Sequence, residues 1–167
     1  MEARGYTNKQ AAEALDLKPA TVSYYTNRGF VEPEVSNPKG KGTTRRYSRR
    51  NLVELLVIRR LVDGGVKLEA VERLLRFLGR PDVRNGTCSS GMTFDPLDPD
   101  DERRPEGARV FLVCMDDDTP TPAFDIRWIE KPRPEFTVSV WNPRHERPIE
   151  TWKAFDVTPI LETVQAL

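Results

Sequence analysis

Cysteine and histidine are nearly absent: two cysteines, Cys88 and Cys114, and one histidine, His145, stand in 167 residues. So few thiols exclude a disulfide framework and a paired-thiolate zinc site, both of which need ligands at short, regular spacings. Taken together, Cys88, Cys114 and His145 match no ligand pattern, and Cys114 sits in an apolar run where a buried free thiol is the ordinary outcome. No metal and no cofactor is expected. No apolar run approaches the roughly 18 residues that a membrane-spanning helix needs. The opening Met1-Glu2-Ala3-Arg4 lacks the apolar segment of a secretory signal. These absences lead to the expectation of a cytoplasmic chain with no membrane partner. Catalytic signatures are missing as well: there is no Gly-rich phosphate loop and no nucleophile elbow, and His145 lies beside Arg144 in a Pro-flanked loop. The chain does not read as an enzyme.

Net charge is absent too, with 26 basic and 26 acidic residues, but the balance conceals a division. Residues 1–80 hold 16 Lys/Arg against 9 Asp/Glu, and residues 81–167 hold 10 against 17, so the two parts carry +7 and −7. Such an asymmetry suggests one part built to meet a polyanion and another built for something else. Prolines also concentrate after residue 80, which places a boundary near residues 79–82.

In the basic part, Thr7 with Gln10 three residues later makes a capping box, and Ala11, Ala12, Ala14 and Leu15 supply an apolar stripe. A short helix over about Asn8 to Leu15 follows. After the break at Asp16-Leu17-Lys18, Pro19 suits a first helical position, and a second helix runs to about Arg28 and stops at Gly29. Two short helices across a turn outline a helix-turn-helix, whose second helix lies in the major groove, or else an ordinary helical hairpin. The second helix carries Thr21, Ser23, Tyr24, Tyr25, Asn27 and Arg28, all hydrogen-bonding types, with Val22 left to face the first helix. A merely solvated polar face with Tyr25 partly in the core is the plainer alternative.

Beyond it, Asn37-Pro38 and two glycines mark the tip of a hairpin whose tip and returning strand carry Lys39, Lys41, Arg45 and Arg46 with no acid among them. Four positive charges there suit a phosphate backbone. A basic wing beside a recognition helix is a winged helix-turn-helix. Ser48 then caps a third helix to about Val62. It opens on Arg49 and Arg50, an unfavourable place for cations beside the positive end of the helix dipole, and is easier to explain if they face phosphate. A fourth helix buries Leu68, Val71, Leu74, Leu75 and Leu78 and closes at Gly79 and Pro81.

These residues resemble the MerR-type transcriptional regulators. The likeness runs from Tyr6-Thr7 through Thr21-Val22-Ser23-Tyr24-Tyr25, Arg28-Gly29-Phe30-Val31 and Arg45-Arg46-Tyr47-Ser48. It continues in Ile58-Arg59-Arg60-Leu61 and Val66-Lys67-Leu68-Glu69-Ala70-Val71, and covers about residues 5–78. The resemblance implies a homodimer that bends or untwists a pseudo-palindromic promoter site, with Tyr24 and the wing arginines on phosphates. Ser23 stands where the family usually has Arg and Thr26 where it usually has Glu, so contacts at those positions do not carry over. The family's long dimerisation helix after the fourth helix is also missing, since Gly79-Arg80-Pro81-Asp82 breaks the chain. Simple repression therefore competes with promoter untwisting.

Residues 81–108 read as an acidic, Pro/Gly-rich linker or loop, mobile by default. Three β-like runs follow at Arg109–Met115, Ala123–Glu130 and Glu135–Trp141, with a fourth at Glu150–Phe155, and a small antiparallel meander is the simplest arrangement. A last helix starts at Thr158 as cap with Pro159 at its first position, and must dock on the sheet or on a second subunit. Trp128, Trp141 and Trp152 are the candidate lining of a pocket for a flat or cationic ligand, though small β domains usually spend such residues on a core or interface. Asp116-Asp117-Asp118 reads as a solvated turn rather than a cation site.

The expected fold class is α+β, a winged helix-turn-helix of four helices and a hairpin wing followed by a small antiparallel β domain with a C-terminal helix. The expected domains are residues 1–80 for DNA binding, 81–108 as linker or loop, and 109–167 for dimerisation or effector binding. The expected function is a sequence-specific regulator of transcription that binds double-stranded DNA as a homodimer. Lys18, Thr21, Ser23 and Arg28 read bases. Tyr24, Lys41, Arg45, Arg46 and Tyr47 hold the backbone, and Tyr25, Lys39 and Arg49 complete the DNA-facing set. A small-molecule effector of the C-terminal half belongs to this reading. The alternative is a DNA-tethered adaptor whose acidic β half docks a partner protein.

Overall fold

The computed structural model describes residues 5–36, 44–85, 93–115, 123–129 and 152–167. The first helix, α1 (Asn8–Ala14), starts where expected: the Gln10 backbone N–H donates to Thr7 Oγ1 at 3.3 Å and the Thr7 N–H donates to Gln10 Oε1 at 2.9 Å. Two otherwise unpaired donors of the first turn are thereby satisfied. Ala11 and Ala12 are buried, and Asp16 turns the chain with φ 51, a left-handed conformation that Asp tolerates better than most residues. Helix α2 (Pro19–Asn27) follows, with Val22 and Thr26 inward. It ends as helices with a left-handed glycine do: Gly29 has φ 77, its N–H reaches Thr26 O at 3.0 Å, and the Phe30 N–H reaches Tyr25 O at 2.9 Å.

The wing root is an antiparallel pair of bridges. Ser36 faces Arg46, and Tyr47 faces Tyr6 from the opening segment, so the N-terminal stretch and both wing strands share backbone hydrogen bonds. Helix α3 (Arg49–Asp63) is capped by Ser48 with Asn51 in the reciprocal position. Helix α4 (Leu68–Leu78) buries Val71, Leu74, Leu75 and Leu78 as its spacing requires. A one-turn helix, α5 (Pro81–Arg84), then buries Val83.

The stretch read as mobile needs correction over its described part. Residues 93–108 carry no regular structure, yet Phe94 and Leu97 are completely buried in the same apolar cluster as α3 and α4. Burying each such side chain is worth about 1.5–3 kcal/mol, enough to oppose the entropy of ordering a short loop. Its acids also build the loop. Asp95, Asp98 and Asp101 each accept the backbone N–H two residues on, from Leu97, Asp100 and Arg103, at 2.9–3.0 Å. Composition alone marks such acids as disorder-promoting; at this spacing they are turn formers.

The sheet contains β1 (Arg109–Met115), β2 (Ala123–Ile129) and β3 (Trp152–Asp156) in the antiparallel order β2-β1-β3. The final strand therefore pairs with the first, a departure from the expected meander, in which each strand neighbours its predecessor; the run 135–141 lies outside the described residues. Helix α6 (Thr158–Gln165) packs on α3 and β1. Thr158 is not its cap: Thr158 Oγ1 accepts the Val110 N–H at 2.9 Å, extending the pairing of β1 with β3, while Asp156 Oδ1 takes the Thr158 N–H at 3.0 Å. The apolar core runs without interruption from Ala11 through α3 and α4 to Val110, Phe155 and Val164, across the boundary expected near residues 79–82.

Candidate nucleic-acid interface

From Lys18 to Arg28 the chain contains no acidic residue. With Val22 and Thr26 turned inward, α2 and its flanks leave Lys18, Tyr24, Asn27 and Arg28 exposed, and Thr21, Ser23 and Tyr25 half-buried. Tyr24 and Tyr25 meet edge to face with centroids 5.5 Å apart, and Tyr25 meets Phe30 in the same way at 6.0 Å. Burial, then the neighbouring Tyr24 and Asp63, pushes the Tyr25 hydroxyl above its ordinary pKa. It stays a hydrogen-bond donor at neutral pH. Ser23 Oγ accepts from Asn8 Nδ2 at 3.0 Å, so α1 orients it. Arg59 Nη1 reaches Asp16 O at 3.2 Å and braces the turn between the two helices.

On the returning wing strand, successive side chains part company as strand geometry demands. Arg45 and Tyr47 turn toward α2: Arg45 Nη1 donates to Asn27 Oδ1 at 2.8 Å, and the Tyr47 hydroxyl pairs with Thr26 Oγ1 at 2.9 Å. Arg46 turns the other way, and its Nη1 donates to Gly5 O at 3.2 Å. Lys39 and Lys41, expected at the wing tip, lie outside the described residues.

The arginines sort by partner. Arg28, Arg45 and Arg46 meet no carboxylate among the described residues, whereas Arg49, Arg50 and Arg84 do. Three uncompensated guanidinium groups on α2 and the wing leave local positive potential, which a polyanion would neutralise.

Residues 6–78 match the MerR HTH family of regulatory proteins. Over 93 residues the chain is 29% identical to the uncharacterized HTH-type transcriptional regulator Rv1830 of Mycobacterium tuberculosis (strain ATCC 25618 / H37Rv). The same identity is found with the uncharacterized HTH-type transcriptional regulator Mb1861 of Mycobacterium bovis (strain ATCC BAA-935 / AF2122/97). The alignment covers 53% of this chain and 41% of each relative, so the match spans about two fifths of the relatives' length. Among the described residues no helix is long and apolar enough to cross a membrane.

Within the MerR-like segment, three expectations change. Tyr47, assigned to a phosphate, has 0% exposure. Its hydroxyl is used on Thr26, which makes it a pin between wing and recognition helix. Arg50, expected to face phosphate, is 6% exposed: Nε donates to Asp95 Oδ2 at 2.8 Å, Nη1 pairs with Glu54, and Nη2 donates to Leu78 O at 3.1 Å. The cation at the start of α3 is thus answered by buried carboxylates from its own next turn and from the acidic loop. Arg49 remains partly exposed, but Asp100 and Tyr6 already engage it and raise its pKa further.

Other expectations end at geometry. Trp128 pairs with Val110 and Trp152 with Met115, positions of opposite parity along β1. The backbone therefore places the two tryptophan positions on opposite faces of the sheet. Trp141, Cys88, His145 and Asp116–Asp118 lie outside the described residues. Two amide side chains prove central: Asn51, which the sequence does not single out, and Asn27, which it marks only as hydrogen-bonding surface. Asn51 Oδ1 accepts from Ser48 N at 3.1 Å and Glu34 N at 2.9 Å, while its Nδ2 reaches Glu32 O at 3.0 Å, tying the chain before the wing to the start of α3. Asn27 carries Arg45. The single signal for either was an amide side chain at a helix terminus.

Proposed function

We propose that the protein is a sequence-specific DNA-binding transcriptional regulator that inserts α2 into the major groove and lays its wing along the backbone. Lys18, Thr21, Ser23 and Arg28 read base edges, while Tyr24, Lys39, Lys41, Arg45 and Arg46 hold phosphates. The observation that carries this reading is that Arg28, Arg45 and Arg46, at the end of α2 and on the wing, meet no carboxylate among the described residues, whereas Arg49, Arg50 and Arg84 do. Two-fold operators are read by paired recognition helices about one helical turn apart. The C-terminal half, lacking the family's long helix, would supply that pairing through its sheet or α6.

Selection of full-length protein against a random duplex library, with the mass in solution read on the same sample, tests both parts. An enriched inverted repeat and a dimeric mass support the reading. Salt-sensitive binding to every duplex, without enrichment and with a monomeric mass, overturns it.

A further inference from the structure

Two consecutive residues at the end of α2 hold two alternate residues of the wing. Thr26 meets Tyr47 inside the core, and Asn27 meets Arg45 at the surface. The first contact fixes where the returning strand lies against the recognition helix, since both groups are buried and the Thr26 hydroxyl is also engaged with Val22 O at 2.9 Å. The second fixes something different, the direction of a charged side chain. Asn27 is exposed and Arg45 half-buried, and Asn27 Oδ1 accepts one guanidinium N–H. A guanidinium carries five donors in a rigid fork, so one bond to a fixed amide oxygen sets its plane and leaves an edge able to take a phosphate with two parallel bonds.

Free arginine side chains lose rotamer entropy when they clamp a ligand, and a group held beforehand loses less. The holder matters as much as the hold. Asn27 belongs to the helix that reads bases, so its bond aligns a backbone contact with the register of that helix. Arg46, which donates instead to the Gly5 carbonyl of the N-terminal segment, has no such tie to α2.

We propose that Asn27 is the positioning residue for Arg45, presetting its guanidinium so that the phosphate it clamps lies in fixed register with the bases read by α2. The proposal rests on the DNA-binding reading above. An acidic residue in place of Asn27 would hold Arg45 more tightly and cancel its charge toward phosphate; the neutral amide orients without neutralising.

The test is equilibrium binding of the full chain to a labelled duplex of the selected sequence and to an unrelated duplex of equal length, across a salt series. The proteins are the parent, Arg45→Ala, Asn27→Ala and the double variant. Loss of a charge-assisted bond predicts about tenfold weaker binding for Arg45→Ala, with the salt slope reduced by about one. Asn27→Ala should weaken binding to the selected duplex by about three- to tenfold, within the range of one hydrogen bond. Its salt slope should stay unchanged, because no charge is removed, and its preference for the selected duplex should fall. The double variant should bind like Arg45→Ala alone. Unaltered melting of Asn27→Ala separates positioning from a folding defect. Parental binding by Asn27→Ala beside a weakened Arg45→Ala, or losses that multiply in the double variant, would overturn the positioning role. Parental binding by Arg45→Ala on both duplexes would instead remove the wing assignment beneath it.

Discussion

Arg49 and Asp100 form a shared contact between the start of α3 and the acidic loop: one guanidinium nitrogen, Nη1, lies 3.0 Å from one carboxylate oxygen and 3.2 Å from the other. Their side chains are 37% and 47% exposed, so the pair is worth at most about 1 kcal/mol to folding. It occupies a cation that stands one residue beyond Ser48 at the wing root.

Asp100→Asn should therefore leave the melting temperature nearly unchanged and tighten binding to duplex DNA by a few-fold at low salt, in line with roughly one phosphate contact regained. Fluorescence anisotropy across a salt series would show it as a steeper slope. The gain should vanish when Arg49→Ala is added. Equal affinity of Asp100→Asn and the parent at every salt would place Arg49 away from the DNA.

Gly64 ends α3 with φ −78, so its backbone admits any residue. Space does not, because a Cβ added there would stand 2.9 Å from Phe155 Cζ, with a second ring atom closer. Gly64→Ala should destabilise the chain by about 1–3 kcal/mol through overpacking, and thermal or urea unfolding would measure it. Adding Phe155→Leu should recover part of the loss, a coupling expected only of residues in contact.

Burial pushes the Glu54 carboxyl above its usual pKa, against the opposing pull of Arg50 and Asn51. A carboxyl raised in the folded state binds its proton more tightly there than in the unfolded chain. Its contribution is fully present below the unfolded pKa and is lost as pH rises through the folded one. Asp98 shifts the same way, chiefly by burial; at Asp101 burial is outweighed by the bonds from Arg103 and the Asp95 backbone, and the shift is downward. The comparison must be made between variants. The stability of the parent relative to Glu54→Gln should decline as pH rises from the acid side of the usual glutamate value toward neutrality. A flat difference in urea midpoints over that interval would contradict the raised pKa.

Legibility in the sequence followed the range of each interaction. The helix starts at Thr7, Pro19 and Ser48 and the stops at Gly29 and Gly79 are set by residues within one turn, and these are readable. So is the buried stripe of α4, whose period is local. What escaped reading joins residues distant along the chain. Arg50 looks like a surface cation until Asp95 arrives beside it, and Asp95 looks like part of a disordered acidic run until Phe94 and Leu97 anchor the loop. Tyr47 is ambiguous in the sequence because tyrosine pairs an apolar ring with a polar tip, and periodicity does not reveal whether the tip finds Thr26 or solvent. Asn27 reads as polar surface; that it holds Arg45 follows from the wing folding back across α2.

The packing of α6 and Phe155 against α3 carries a kinetic consequence. Helix α3 packs on α4, next to it in sequence, and on α6, far along the chain. Long-separation contacts raise contact order and slow folding. A polypeptide emerging from synthesis can form α1, α2 and the wing root early, but it must hold the last face of α3 uncovered until residues 152–165 return to it. In that interval the face of α3 awaiting α6 and Phe155 is exposed apolar surface, which makes the late docking of the C-terminal strand and helix the step at which this chain either completes itself or aggregates.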